Sequence, residues 1–146
     1  MPGILVGIDG SGHSQRALEW SMKEAAIRHA PLTVLTVHPA VRGYLSGPAE
    51  YPDDANLTQK AREAAQAETD KALAGVGASR PESVTVKAVH GFPAEELVNA
   101  SQGADMIVVA ERGSGGFARL VMGSVTIQVA QHAHCPVVII PTQDRG

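Results

Sequence analysis

Short apolar runs alternate along the chain with longer segments. The first longer segment, which follows Ile4–Ile8, has its apolar residues spaced so that they would lie on one face of a helix. The runs are four to six residues long and bordered by glycine, proline or polar residues, which predicts strands rather than helices. The intervening segments predict helices that begin at Ser11 or Ser14, near Leu57, at Pro93 and near Ser124. The predicted strands are Ile4–Ile8, Leu32–Val37, Val84–Val89, Met106–Ala110 and Val137–Ile140.

Regular alternation of strand and helix predicts the class of the fold. It indicates an α/β domain with a doubly wound, five-stranded parallel sheet and helices on both faces. Met106–Ala110 is apolar throughout, as in a central strand, whereas Val84–Val89 alternates apolar and polar positions, as at a sheet edge. Ligands of such folds bind at the carboxyl ends of the strands, where the winding reverses. We expect residues 1–146 to form one domain.

Residues 39–56 interrupt this pattern. The segment contains three prolines and two glycines and is long for a connection within a compact domain. A mobile surface loop is the favoured interpretation, and a functional loop that orders when ligand binds is the alternative.

Composition narrows the function classes. The formal net charge is −3 and no basic cluster is present, so nucleic-acid binding is not expected. The single cysteine excludes an internal disulfide and favours the cytoplasm. The apolar stretches are too short for a transmembrane helix, and the first residues lack the pattern of a signal peptide.

The stretch from Ala110 to Val125 carries the chemistry. It leaves a buried strand, passes through a glycine-rich loop and enters a helix at Gly123-Ser124. Glycines allow backbone N–H groups to approach an anion, and a helix N-terminus adds unpaired donors. These features predict a phosphate-binding loop, although a flexible loop that only caps a helix would show the same composition.

The chain resembles the universal stress protein family over essentially its whole length. The family signature is Gly-x2-Gly-x9-Gly-[Ser/Thr], and Gly113, nine residues and then Gly123-Ser124 match its last three elements, while Ala110 stands at the first glycine. The segments Ile4–Ser11, Gly91–Ala94 and His134–Val138 are also similar to the family.

The resemblance implies ATP or a related adenine nucleotide as ligand, with or without Mg²⁺, and a strand order of 3-2-1-4-5. It implies that Ile8 and Asp9 lie beside the adenosine and that the Val37 backbone meets adenine. The remaining implied contacts, along the ribose and the phosphates, are Ala110, Gly113, Gly123, Ser124 and Val125.

Three functions stay open: an ATP-binding regulator, an interaction module without nucleotide, and a very slow ATP hydrolase. No convincing general base is evident, so catalysis is not expected. A metal site is not expected at His132, His134 and Cys135 either. Residues two apart on a helix point in nearly opposite directions, so the two histidines cannot share an ion, and no second pair of ligands is evident. Val137–Ile140 is an uncharged edge strand, and the resemblance implies that two copies pair through it.

Overall fold

The computed structural model describes residues 3–42, 48–49, 51–112 and 123–142. Seven strands and four helices occur in these residues. In chain order they are β1 Ile4–Ile8, α1 Gly12–Arg28, β2 Leu32–Pro39, β3 Val41–Arg42, β4 Pro48–Ala49, α2 Asp54–Val76, β5 Val84–Gly91, α3 Pro93–Ser101, β6 Met106–Ala110, α4 Ser124–His132 and β7 Val137–Ile140.

Five strands form one parallel sheet in the order β5-β2-β1-β6-β7. This is the predicted order 3-2-1-4-5, which is confirmed together with the α/β class. The chain passes outward from β1 through β2 to β5 and then returns to the other side of β1 as β6. The winding therefore reverses between β1 and β6, so their carboxyl ends border the crevice where ligands of this fold class bind.

Both faces of the sheet are covered by helices. Residues of α1 and α2, such as Leu18 and Ala65, pack on one face, whereas Leu97 of α3 and Val129 of α4 pack on the other. The central strand β6 divides its side chains between the two layers, with Val108 on the first side and Ile107 on the second. Its continuous apolar sequence is explained by this burial on both faces.

Two strands and one helix are longer than predicted. β2 and β5 continue to Pro39 and Gly91 because they pair with each other to their ends. α2 begins at Asp54, three residues before the predicted start near Leu57, and it continues through Gly75. One glycine costs about 1 kcal/mol within a helix and does not break it. The helix ends at Gly77, where φ is +56°.

The segment 39–56 is more ordered at its ends than expected. The Ala40 N–H donates to the Gly91 carbonyl at 2.7 Å, and β3 and β4 pair as a short antiparallel hairpin. Residues 43–47 and 50 lie outside the described part of the chain, so mobility there stays a prediction. Within the described ranges, none of the helices has a stretch that is both long and apolar enough to cross a membrane.

Candidate functional site

The turn after β1 places Asp9 at the carboxyl edge of the sheet. The Asp9 carboxylate accepts the Ser11 N–H at 3.0 Å, and the following Gly10 has φ of +84°, which favours glycine. Ser11 is the N-cap of α1 and accepts the Ser14 N–H at 3.2 Å, which decides between the two predicted caps. Ile8 points its buried side chain into the core, so it offers only its backbone to a ligand.

Two hydrogen bonds fasten the start of α4 to the end of β6. The Thr126 hydroxyl donates to the Ala110 carbonyl at 2.6 Å, and the Gly123 N–H donates to the Glu111 carbonyl at 3.0 Å. Thr126 is buried, so its bond is shielded from water. The N-terminus of α4 is therefore held beside the point where the winding reverses.

The first turn of α4 is suited to an anion. Gly123 is the N-cap, with φ of −65° and ψ of 150°, and no described side chain caps the helix. The first N–H groups of a helix have no partner within it and carry the positive end of its dipole. Ser124 and Val125 can therefore present backbone donors to phosphate oxygens, and Ser124 adds a hydroxyl group.

Ala110 does not disturb this arrangement. Among the described residues other than glycine, only His29 has a positive φ, so the backbone at Ala110 does not demand glycine. The Ala110 methyl group packs in the same core cluster as Val6 and Ile140, beneath α1 and α2. Alanine at the first signature position is therefore compatible with the fold and directs its side chain into the core.

The charged residues after Ala110 are buried. Glu111 and Arg112 are 7% and 6% exposed, respectively. A Glu111 carboxylate oxygen accepts the Thr142 N–H at 3.1 Å, which directs this carboxylate toward the chain that leaves β7. Glu111 therefore connects the residues that follow β6 to those that follow β7.

The remaining predicted contacts are divided between described and undescribed parts of the chain. Ile8 of β1 pairs with Thr36 of β2, and Val37 is the residue after Thr36. Val37 therefore lies at the carboxyl ends of the strands, as Asp9 does. Gly113 lies outside the described residues. The structure thus brings Ile8, Asp9, Val37 and Ala110 to one edge of the sheet, with Gly123, Ser124 and Val125 at the start of α4.

Glu68 of α2 is a further acidic residue at this edge. One of its carboxylate oxygens is buried without a hydrogen-bond partner in the described part of the chain, and the other lies 3.6 Å from where a Cβ on Gly10 would stand. Burial raises the pKa of Glu68, and the nearby charge of Asp9 raises it further, whereas Lys71 lowers it. Nothing in the sequence distinguishes Glu68 from the other acidic residues of α2, because only the packing of α2 brings it to β1.

The histidines near the end of α4 do not gather with Cys135 around a common point. Across the described residues, the one group of three potential metal ligands is His38, Asp54 and His90. The pKa of the Asp54 carboxyl is lowered, chiefly because it accepts the Tyr51 N–H, with smaller contributions from His38 and His90, while burial acts in the opposite direction. Sequence reasoning missed this cluster because its members are far apart along the chain.

The sequence and the fold are both similar to known proteins. The model of the universal stress protein family matches residues 2–141. A universal stress protein of Mycobacterium tuberculosis is 35% identical over 144 residues, which is 97% of this chain and 48% of that relative. The chain thus spans about half the length of the curated relatives it matches.

Solved structures agree with this assignment. A universal stress protein in complex with cAMP is 25% identical, with a TM-score of 0.66 and 96% of each chain covered. A family protein from Burkholderia pseudomallei is 29% identical, with a TM-score of 0.65 and 95% of each chain covered. The chain therefore belongs to the universal stress protein family.

Proposed function

We propose that the chain binds an adenine nucleotide, ATP in particular, between the ends of β1 and β6, and that it acts as a stress-response regulator in the cytoplasm. The observation that carries this proposal is the N-terminus of α4, which lacks a described side-chain cap and is fastened where the winding reverses. A fixed set of unpaired N–H donors at that crevice suits a phosphate group.

The proposed roles follow the positions of the residues. The N–H groups of Ser124 and Val125 and the Ser124 hydroxyl donate to phosphate oxygens, and Gly123 keeps the approach free of a side chain. The family resemblance assigns Ala110 and Gly113 to the ribose and phosphate side. The backbones of Ile8 and Val37 lie along the adenosine.

Acidic side chains at the same edge suit the sugar. Asp9 is exposed beyond β1, and Glu68 has a buried oxygen without a described partner. Carboxylates accept hydrogen bonds from ribose hydroxyl groups in dinucleotide-binding α/β folds. The related universal stress protein in complex with cAMP supports an adenine nucleotide as the ligand class.

Calorimetric titration tests the proposal. We expect ATP to bind more tightly than GTP, and Mg²⁺ is varied to learn whether it binds with the nucleotide. Gly123→Val should weaken ATP binding about 10- to 100-fold, the equivalent of one charge-assisted hydrogen bond of about 1.5–3 kcal/mol. Because φ at Gly123 is −65°, valine can adopt this backbone, and the fold should persist.

The matched control is Gly103→Val, which places the same side chain just before β6, at the amino ends of the strands and away from the proposed site. An added Cβ at Gly103 meets no atom within 4 Å. It should leave ATP affinity unchanged. Equal ATP binding by the wild type and Gly123→Val would show that the site is assigned wrongly. The absence of any nucleotide binding by the wild type would favour the interaction module instead.

A second role follows from the free edge of the sheet. β7 pairs only with β6 in the described part of the chain, and Val137, Val138 and Ile139 are only half-buried. We therefore also propose a homodimer through Val137–Ile140, since an apolar edge left uncovered promotes aggregation.

A further inference from the structure

Two histidines stand side by side at the carboxyl ends of β2 and β5 and share one aspartate. His38 and His90 are direct partners in the parallel register, and their rings stack with centroids 5.2 Å apart and an interplanar angle of 29°. Asp54, the first residue of α2, is the third member. The fold thus gathers two imidazoles and a carboxylate from three separate elements.

The distances between these groups approach those of a metal chelate. His38 Nε2 lies 3.1 Å from Asp54 Oδ1, and His90 Nε2 lies 3.5 Å from Asp54 Oδ2. One ligand atom from each of the three residues lies within 4.8 Å of the others. In a tetrahedral zinc site with bonds of about 2.0–2.2 Å, ligand atoms are about 3.3–3.6 Å apart. Small rotations of the rings and the carboxylate would therefore bring all three groups onto one ion.

The cluster is held in place and is only partly buried. The side chains of His38, Asp54 and His90 are 21%, 15% and 18% exposed, respectively. The Tyr51 N–H donates to Asp54 Oδ2 at 2.7 Å, and the Thr58 hydroxyl donates to the Asp54 carbonyl at 2.8 Å. The aspartate is therefore oriented by its own turn, and all three side chains retain some exposure to solvent.

We infer that His38, Asp54 and His90 bind a divalent transition-metal ion of the Zn²⁺ class, with three protein ligands and a fourth position open to water or an exogenous ligand. Imidazole and carboxylate groups are ordinary zinc ligands, and two histidines with one carboxylate leave the fourth tetrahedral position free. The ion would join the ends of β2 and β5 to the start of α2.

A hydrogen-bonded latch without metal is the competing interpretation. In that case each Nε2–H would only donate to the Asp54 carboxylate. Glutamine separates the two possibilities, because its amide N–H still donates to a carboxylate but does not replace imidazole as a zinc ligand. Replacement of both histidines by glutamine therefore preserves the donors of a latch and removes two of the three metal ligands.

The test is a Zn²⁺ titration of the full chain, without an affinity tag or nucleotide, after removal of metal with a chelator. Competition with a chromophoric chelator should show one Zn²⁺ per chain. His38→Gln combined with His90→Gln should weaken binding at least about 100-fold, because changes outside the ligand set alone cost 10- to 100-fold. The control combines His132→Gln with His134→Gln and should bind Zn²⁺ like the wild type.

Further measurements keep the result decisive. Circular dichroism of each protein without metal establishes whether it is folded. If the double variant is not folded, the single variants His38→Gln and His90→Gln are titrated in its place. Cys135→Ser should retain the zinc site, since its thiol is not part of the cluster. Absence of Zn²⁺ binding by the wild type, or equal binding by the glutamine double variant, would overturn the inference and favour the latch.

Discussion

At the scale of single residues, the turn after β1 combines a backbone requirement with an electrostatic cost. Gly10 adopts φ of +84°, a backbone conformation that residues other than glycine rarely take. Glu68 stands next to this turn, where its carboxylate is partly removed from water and close to Asp9. The adenosine side of the proposed site therefore holds two carboxylates that repel each other.

Glu68→Gln should stabilise the protein at neutral pH. Because the pKa of Glu68 is raised in the folded state, the folded chain retains a proton that the unfolded chain has already lost. Stability therefore falls as pH rises from the ordinary value of 4.5 through the raised value, and the penalty is complete above both. Thermal unfolding of both proteins, followed between about pH 4 and 8, should show a gain at neutral pH that shrinks toward acid.

Glu63→Gln provides the control for this experiment, because Glu63 is an exposed carboxylate on the same helix. It should leave the thermal midpoint nearly unchanged across the same range. A Glu68→Gln protein that is less stable than the wild type at neutral pH would contradict the electrostatic reading.

At the scale of elements, α4 depends on β6 for its position. Its N-terminus is fixed by one side-chain bond, from Thr126, and one backbone bond, from Gly123. The proposed phosphate donors therefore owe their direction to contacts made by their neighbours rather than to their own side chains. This arrangement makes Thr126 a positioning residue for the site.

Thr126→Val should weaken both folding and nucleotide binding. Valine keeps the shape of threonine but removes the donor to the Ala110 carbonyl, at a cost of about 1–3 kcal/mol in the free energy of unfolding. A less firmly held first turn of α4 should also lower ATP affinity. Chemical denaturation measures the first effect and calorimetric titration the second.

Thr69→Val is the matched control, because Thr69 is fully buried and donates to the Ala65 carbonyl within α2. It should reduce stability to a similar extent without changing ATP affinity. If both variants lost affinity equally, the effect would be general destabilisation and Thr126 would have no positioning role.

At the scale of the whole molecule, the two edges of the sheet differ in chemistry. β5 exposes Thr85 and Lys87, and charged side chains at an edge discourage pairing with another chain. β7 consists of Val137, Val138, Ile139 and Ile140 and carries no charge. A two-fold axis beside β7 would satisfy the free edges of both copies at once.

Ile139→Lys should convert the proposed dimer into a monomer. The added charge opposes pairing at β7, and some stability should also be lost because Ile139 packs against the core cluster beneath α3 and α4. Analytical ultracentrifugation at micromolar concentration measures the association. Thr85→Lys adds the same charge at the β5 edge and should remain dimeric, whereas a monomeric wild type would refute the dimer.

Much of the fold could be predicted from the sequence because its signals are local. Short apolar runs predicted each strand of the main sheet, and the segments between them, with their start signals, predicted each helix. The unbroken apolar run at Met106–Ala110 indicated a central strand. The spacing of Gly113 and Gly123-Ser124 indicated the family, which the family model confirms. These features depend on neighbours along the chain, so the order of residues is sufficient to reveal them.

Only the tertiary structure decided which distant residues meet. The register of β2 against β5 lengthened both strands and aligned His38 with His90, and the start of α2 then brought Asp54 between them. The same helix carried Glu68 to the turn after β1. No local pattern specifies these contacts, because they arise from crossovers that bring together segments separated by tens of residues, and burial then fixes the charges and hydrogen bonds between them.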